Sequence, residues 1–399
     1  MKMQFLLAGA LLLSAPVFAQ VETPLATVAT EPSGYDLLVQ AVGKILPGPN
    51  GGPSNADPNI SAEEDLKRER LAVARNAPAL ALARQALQKP IAVPLAAKYA
   101  DTISASDVPA KVRELARQFS QEADVRLADG DSVGAMNSKL DTIELGIQYK
   151  HGDYISALVG SAVEGIGRKG VEKIVSHLDA TQCRAAIARL KTLEASRLSY
   201  AEILQNERNQ TQILWVGQFE GVEKMTEQDR AKMSKRDLEL LPLLRPDQLK
   251  ADIAAVFTPL IESTSLPYQQ AATLPVPTSK NPLLQQTADT MGRGRFLYER
   301  SRTANLLLLT ALDLRAQKLE TGAYPDAFVP LGDPFSAELK PFAYRKTNDG
   351  YLLYSVGPDG KDDNGGEIKT VFEGNEPGNQ TVTNQLLINS TGDVVQAPL

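Results

Sequence analysis

The chain has 399 residues, 43% of them hydrophobic, and 42 basic against 48 acidic side chains for a net charge of −6. That length and apolar content suffice for a substantial core divided between two domains and their linkers. The basic residues are spread along the chain and leave no Lys/Arg-rich footprint to neutralise a phosphate backbone, so nucleic acid is not an expected partner.

At the start, residues 1–19 place Lys2 ahead of an apolar run from Phe5 to Leu13 and close on Val17-Phe18-Ala19, before Gln20. This pattern predicts a bacterial Sec-type signal peptide cut after Ala19, and hence a periplasmic or secreted protein. The apolar run is too short to span a bilayer core of about 30 Å, so no membrane span is expected after cleavage; an uncleaved anchor is the alternative reading. Cys183 is the only cysteine. It reads as a small apolar helix residue, since an exported chain with one thiol gains no internal disulfide and only His151 and His177 could serve it as a base.

Residues 20–60 include LPGPNGGPSNADPN, Leu46 to Asn59, whose Pro, Gly and Asn density predicts a flexible linker. Ser61-Ala-Glu-Glu64 is a capping-box pattern, and from it a helical region is expected over 61–263. Val112, Leu115, Ala116, Phe119, Ala123 and Leu127 form one stripe, and Ala135, Met136, Leu140, Ile143 and Ile147 a second, with Gly130-Asp131 between them. That is an antiparallel helix pair. Its spacing is similar to a tetratricopeptide hairpin, found once, so an irregular α-helical array is expected rather than a repeat solenoid. Further helices are predicted at about 154–178, 180–196, 199–220 and 246–263.

A Pro-rich linker is predicted over 264–290, and the remainder, 291–399, reads as a small α+β domain. A helix is predicted from Arg295 to Glu320, ended by Thr321-Gly322. Gly292-Arg-Gly-Arg295 ahead of it reads as a hinge with two solvated arginines, or as an anion-binding turn. Phe342–Thr347 and Gly350–Val356 alternate apolar and polar residues around Asp349-Gly350, which predicts an antiparallel hairpin. Another hairpin is predicted in QLLINSTGDVVQA, turning at Ser390–Asp393.

In order, LDLRAQKLETGAYPDAF, GDPFSAELKPFAYR and DGYLLYSVGPDGKDDNGGEI carry a family pattern. They resemble the soluble domain of the major pseudopilin, the G subunit of bacterial type II secretion systems. Gly322, Tyr324 and Pro325 fall on its G-x-Y-P turn, Asp333, Pro334 and Tyr344 on its aromatic segment, and Ser355, Gly357, Asp359 and Gly360 on its loop entry. Phe335-Ser336 replaces that family's Trp-Gly. The resemblance implies a helix leading into a short antiparallel sheet, and a Gly- and Asp-rich loop holding structural calcium. The family's short basic leader and its Phe-Thr-Leu-Ile-Glu-type helix are not found, so the fold is expected to carry over without the filament role.

The loop Tyr354–Glu367 has carboxylates at Asp359, Asp362, Asp363 and Glu367, which can supply the oxygens that a hard cation such as Ca²⁺ requires. Counted from Asp359, the third position is Lys361 and the twelfth Thr370, so an EF-hand is excluded. Nothing apolar flanks the loop from Pro358 to Glu367, which argues against an acid–base pair with a raised pKa. A hydrated turn and a structural Ca²⁺ site remain as readings. With no nucleophile, metal triad or cofactor motif, the expected function is non-catalytic binding or scaffolding, with a protein partner on the helical region. The alternatives are an accessory component of a type II secretion or pilus-like machine, and a hydrolase whose site is scattered among the helices.

Overall fold

A computed structural model describes residues 32–46, 61–94, 107–223, 226–231, 235, 238, 246–373, 380–383 and 385–399. The expected signal peptide lies outside the described residues, as does the stretch 47–60. Within the segment expected as a linker the chain forms a helix, α1 (Gly34–Gly43). Ser33 Oγ accepts the Asp36 N–H at 3.1 Å while the Asp36 carboxylate accepts the Ser33 N–H at 3.0 Å, a reciprocal cap. Leu38, Ala41 and Val42 bury its inner face against α2 (Ala62–Leu87), which begins at the expected Ser61 cap.

The predicted pair is α3 (Val108–Ala128) and α4 (Ser132–Tyr149), with both apolar stripes in the core apart from the half-buried Leu127. One helix was expected over 154–178, and there are two, α5 (Tyr154–Arg168) and α6 (Val171–Val175). Gly170 separates them at φ +83, a left-handed conformation that continues no α-helix. Helices α4 and α5 cross very closely: a Cβ on Gly160 would sit 2.4 Å from the Gly146 carbonyl oxygen. Then follow α7 (Ala180–Ala195), α8 (Tyr200–Glu223), α9 (Glu227–Ala231), α10 (Pro246–Ser263) and the short α11 (Tyr268–Ala271).

The helix expected to start at Arg295 starts at Pro282 and runs to Thr321 as α12 (Pro282–Thr321). Asn281 Oδ1 accepts the Leu283 and Leu284 N–H groups at 3.1 and 3.5 Å, and proline suits the first helical turn because its missing N–H would be unpaired there. Gly292-Arg-Gly-Arg295 is therefore mid-helix, neither hinge nor terminal turn, and the expected linker over 264–290 holds α11 and the first turns of α12. Leu284, Ala288 and Met291 pack with α8 and α10, Leu308, Leu309 and Leu312 with α4, α6 and α7, and Leu307, Ala311 and Leu314 with the sheet. Residues Ser33–Leu399 form one compact unit.

The predicted hairpin is β1 (Ala343–Lys346) with β2 (Tyr351–Ser355), in the register Ala343 opposite Tyr354. A second hairpin, β3 (Thr370–Glu373) with β4 (Gln380–Thr383), stands apart from it. The hairpin expected around Ser390–Asp393 does not form: β5 (Val394–Gln396) pairs antiparallel with β2, Leu353 opposite Gln396, giving a three-stranded sheet ordered β1-β2-β5. Strand pairing is non-local, and β2 offers β5 a free edge with an apolar face already packed on α12. The protein is thus mostly helical with a small antiparallel sheet. Among the described residues no helix is long and apolar enough to cross a membrane.

Candidate functional site

The residues of the G-x-Y-P and G-D-P motifs hold the sheet to the end of α12. Gly322 caps α12 at φ +86, and Tyr324 then packs edge-on to Tyr351 with ring centres 4.9 Å apart. Tyr344 donates its hydroxyl to the Pro325 carbonyl at 2.7 Å. Asp333 is buried and accepts from the Phe335 and Val356 N–H groups and the Ser355 hydroxyl at 2.8–3.0 Å. Burial raises its pKa, partly offset by these donors. The carboxylate fixes where β2 ends and the acidic loop begins.

In that loop, Gly357, Gly360, Asn364 and Gly365 all adopt positive φ. Asp359 Oδ1 accepts the Lys361 N–H at 3.2 Å, a local turn contact. Asp362 Oδ1 accepts the Tyr354 hydroxyl at 2.8 Å and the Asn364 N–H at 2.9 Å. Burial, followed by the hydrogen bond to Asp362 and then that residue's charge, pushes the Tyr354 phenol up to about 12. The side chains of Asp363 and Glu367 are exposed.

The loop closes on a residue the sequence reading left out, Asp393. Its Oδ2 accepts the N–H groups of Asp363, Gly365 and Gly366 at 3.1, 2.7 and 3.2 Å, and its own N–H donates to the Gly366 carbonyl at 2.7 Å. Asp393 is 1% exposed, and its Oδ1 is buried without a hydrogen-bond partner. Burial raises its pKa, the Gly365 and Asp363 amides oppose this, and the charges of Asp362 and Asp363 raise it further. The only sequence signal for this role is the acidic residue at a strand start, in S-T-G-D-V-V.

The feature that bears on Ca²⁺ is that orphaned oxygen, which either a bound cation or a buried water would satisfy. Of the four predicted carboxylates, Asp362 and Asp363 act electrostatically on Asp393, while Asp359 serves the loop entry and Glu367 lies at its exit. Among the described residues no three acidic, imidazole or thiol groups converge into a metal-sized set. A cation there would therefore draw much of its coordination from main-chain carbonyls and water.

The helical region keeps its charges to itself. Glu164 on α5 is fully buried and bound by both Arg197 Nη atoms at 3.1 and 2.7 Å and by Asn305 Nδ2 at 2.8 Å. Lys150 Nζ is 2.5 Å from it as an ion pair without hydrogen-bond geometry. Burial would raise the Glu164 pKa, but Arg197, Lys150 and Arg168 hold it well below the usual carboxylate range. Burial also brings the Lys150 ammonium down to about 8, against the opposing pull of Glu164. A second network joins Arg84 on α2 to Glu122 on α3, and to Asp141 on α4 at 2.7 Å, which in turn holds Arg189 on α7 at 2.6 Å. Cys183 is buried within α7, where desolvation raises its thiol pKa, and His151 and His177 follow the ends of α4 and α6.

No family model, curated protein or solved structure matches the chain.

Proposed function

We propose that this chain is an exported, non-catalytic binding protein, in which a helical array engages a protein partner and adjoins a pseudopilin-like α+β domain with a structural Ca²⁺ in its acidic loop. The observation that supports binding is how the array is built. Several of its buried charges are cross-linked to one another between helices, through Glu164 and through Asp141, while apolar side chains stand out from it. Arg70 on α2 pairs with Asp129 at the α3–α4 turn, and beside these residues Leu71 and Val133 are 60% and 44% exposed. Exposed aliphatic residues held on rigid elements suit a protein contact.

The test is co-purification of the full chain from an exported-protein extract, beside a Leu71→Glu/Val133→Glu variant. A specific partner retained by the wild type and lost by an equally stable variant is expected. Equal capture by both would overturn the assignment of this surface. For the loop, the midpoint of thermal unfolding is compared in calcium and in chelator. An ion bound only by the folded state adds about 2.7 kcal/mol at a hundredfold excess over Kd. A calcium-dependent rise that disappears in Asp393→Asn is expected; an unchanged midpoint in calcium would exclude the ion.

One observation favours the accessory-subunit reading. On the segment before β1, Val329, Leu331 and Leu339 are 83%, 37% and 60% exposed, and Leu339 holds φ +51. A leucine kept in a left-handed turn at the surface costs backbone energy that a docking contact would justify. Co-purification with a secretion-system component, lost in Val329→Asp, would establish this second role.

A further inference from the structure

Between α10, α11 and the middle of α12 lies a cavity of about 450 Å³, within the roughly 300–1,000 Å³ range of small-molecule sites. Its walls are mainly apolar, from Leu260, Ala271, Pro275, Val276, Met291 and Phe296. Most polar groups on the wall are already committed. The Tyr200 hydroxyl donates to the Met291 carbonyl at 2.6 Å, and Arg295 donates to the Ser263 and Leu266 carbonyls at 3.0 and 2.6 Å, closing the end of α10. Two side chains are left with no polar partner at all. Arg293 lines the cavity from its solvent-exposed side and, among the described residues, makes no ion pair or hydrogen bond; the buried Tyr268 has no hydrogen-bond partner for its hydroxyl there.

A guanidinium at the solvent side of an apolar chamber, with no acidic residue among the described residues of its lining, selects for charge as well as for shape. We infer that this cavity binds an amphiphilic monocarboxylate, such as a medium-chain fatty acid, with its tail against Leu260, Met291 and Phe296 and its carboxylate on Arg293. The planar guanidinium can give a carboxylate two parallel N–H donors, and the Tyr268 hydroxyl supplies a third donor. Burial of successive methylenes supplies the affinity, and the arginine sets the polarity of entry. Arg295, held by two carbonyls, keeps the wall in place and is not a ligand contact.

The test is calorimetric titration of the full chain with decanoate below its micellar concentration, and with 1-decanol as the uncharged counterpart. Saturable binding at one site is expected, with decanoate tighter than decanol. Arg293→Gln should weaken decanoate about tenfold, roughly the loss of one charged hydrogen-bond pair, and leave decanol unchanged. Ala271→Trp should fill the chamber and abolish both; should that variant fail to fold, Val276→Trp at the exposed rim blocks the same space. Non-saturable uptake, or a decanoate affinity indifferent to Arg293→Gln, would overturn the inference.

Discussion

Glu207 on α8 accepts the Tyr154 N–H at the head of α5, at 2.9 Å. Burial raises its pKa to about 7, the Tyr154 N–H opposes this, and the Asp153 charge adds to it. In an unfolded chain a glutamate titrates near 4.3, so between these values the folded state holds the extra proton. Stability from this group is then full below about 4.3 and is lost as the pH climbs through 7. The melting midpoint should fall more between pH 5 and 8 for the wild type than for Glu207→Gln, which keeps an acceptor without titrating. Glu164 has the opposite sign: its depressed pKa preserves stability above the ordinary carboxylate range, and that stability disappears only as the pH falls well below it. Glu164→Gln strands Lys150 in the interior and leaves Arg197 with Glu194 alone, and should cost about 3–5 kcal/mol in urea unfolding. Neither carboxylate was distinguishable in the sequence from the other acidic residues, because burial depends on helices far apart in the chain. Asp393 escaped notice for the same reason: the amides it binds belong to Asp363–Gly366, on another segment.

At the level of elements, the start signals of two further helices are written in the sequence. Ser33-x-x-Asp36 before Leu37, Leu38, Ala41 and Val42 has the same capping grammar that marked Ser61, but the prolines and glycines downstream drew the whole stretch into a linker. Asn281-Pro282 was likewise an available start signal for α12. The pairing of β5 with β2 was not legible, since a short alternating strand carries no record of its partner. Within α12, Gly294 makes a sharp prediction. Alanine is the better helix former by about 1 kcal/mol, yet a Cβ there would meet the Tyr154 and Tyr200 hydroxyl oxygens at 2.4 and 2.5 Å. Overpacking of this kind costs about 1–3 kcal/mol, so Gly294→Ala should lower the midpoint of chemical denaturation instead of raising it.

For the molecule as a whole, the helical majority and the small sheet followed from periodicity, because each pattern is written within about a dozen consecutive residues. How the two parts share a core did not, because that is decided by one helix inserted among elements distant in sequence. Since α12 supplies side chains to the helical cores and to the sheet, tertiary signals from both parts should vanish in a single transition. Near-ultraviolet dichroism, rich in the tyrosines around Tyr351, and the fluorescence of Trp215 should report the same midpoint. Two separated midpoints would restore an independent C-terminal domain.

The 40 residues of α12 would extend about 60 Å at the usual rise per residue. Seated in successive cores along that length, the helix is the route by which a mechanical load would cross the protein. A pull on the sheet would load its packing in shear, many contacts at once, where a hinged boundary would peel open contact by contact.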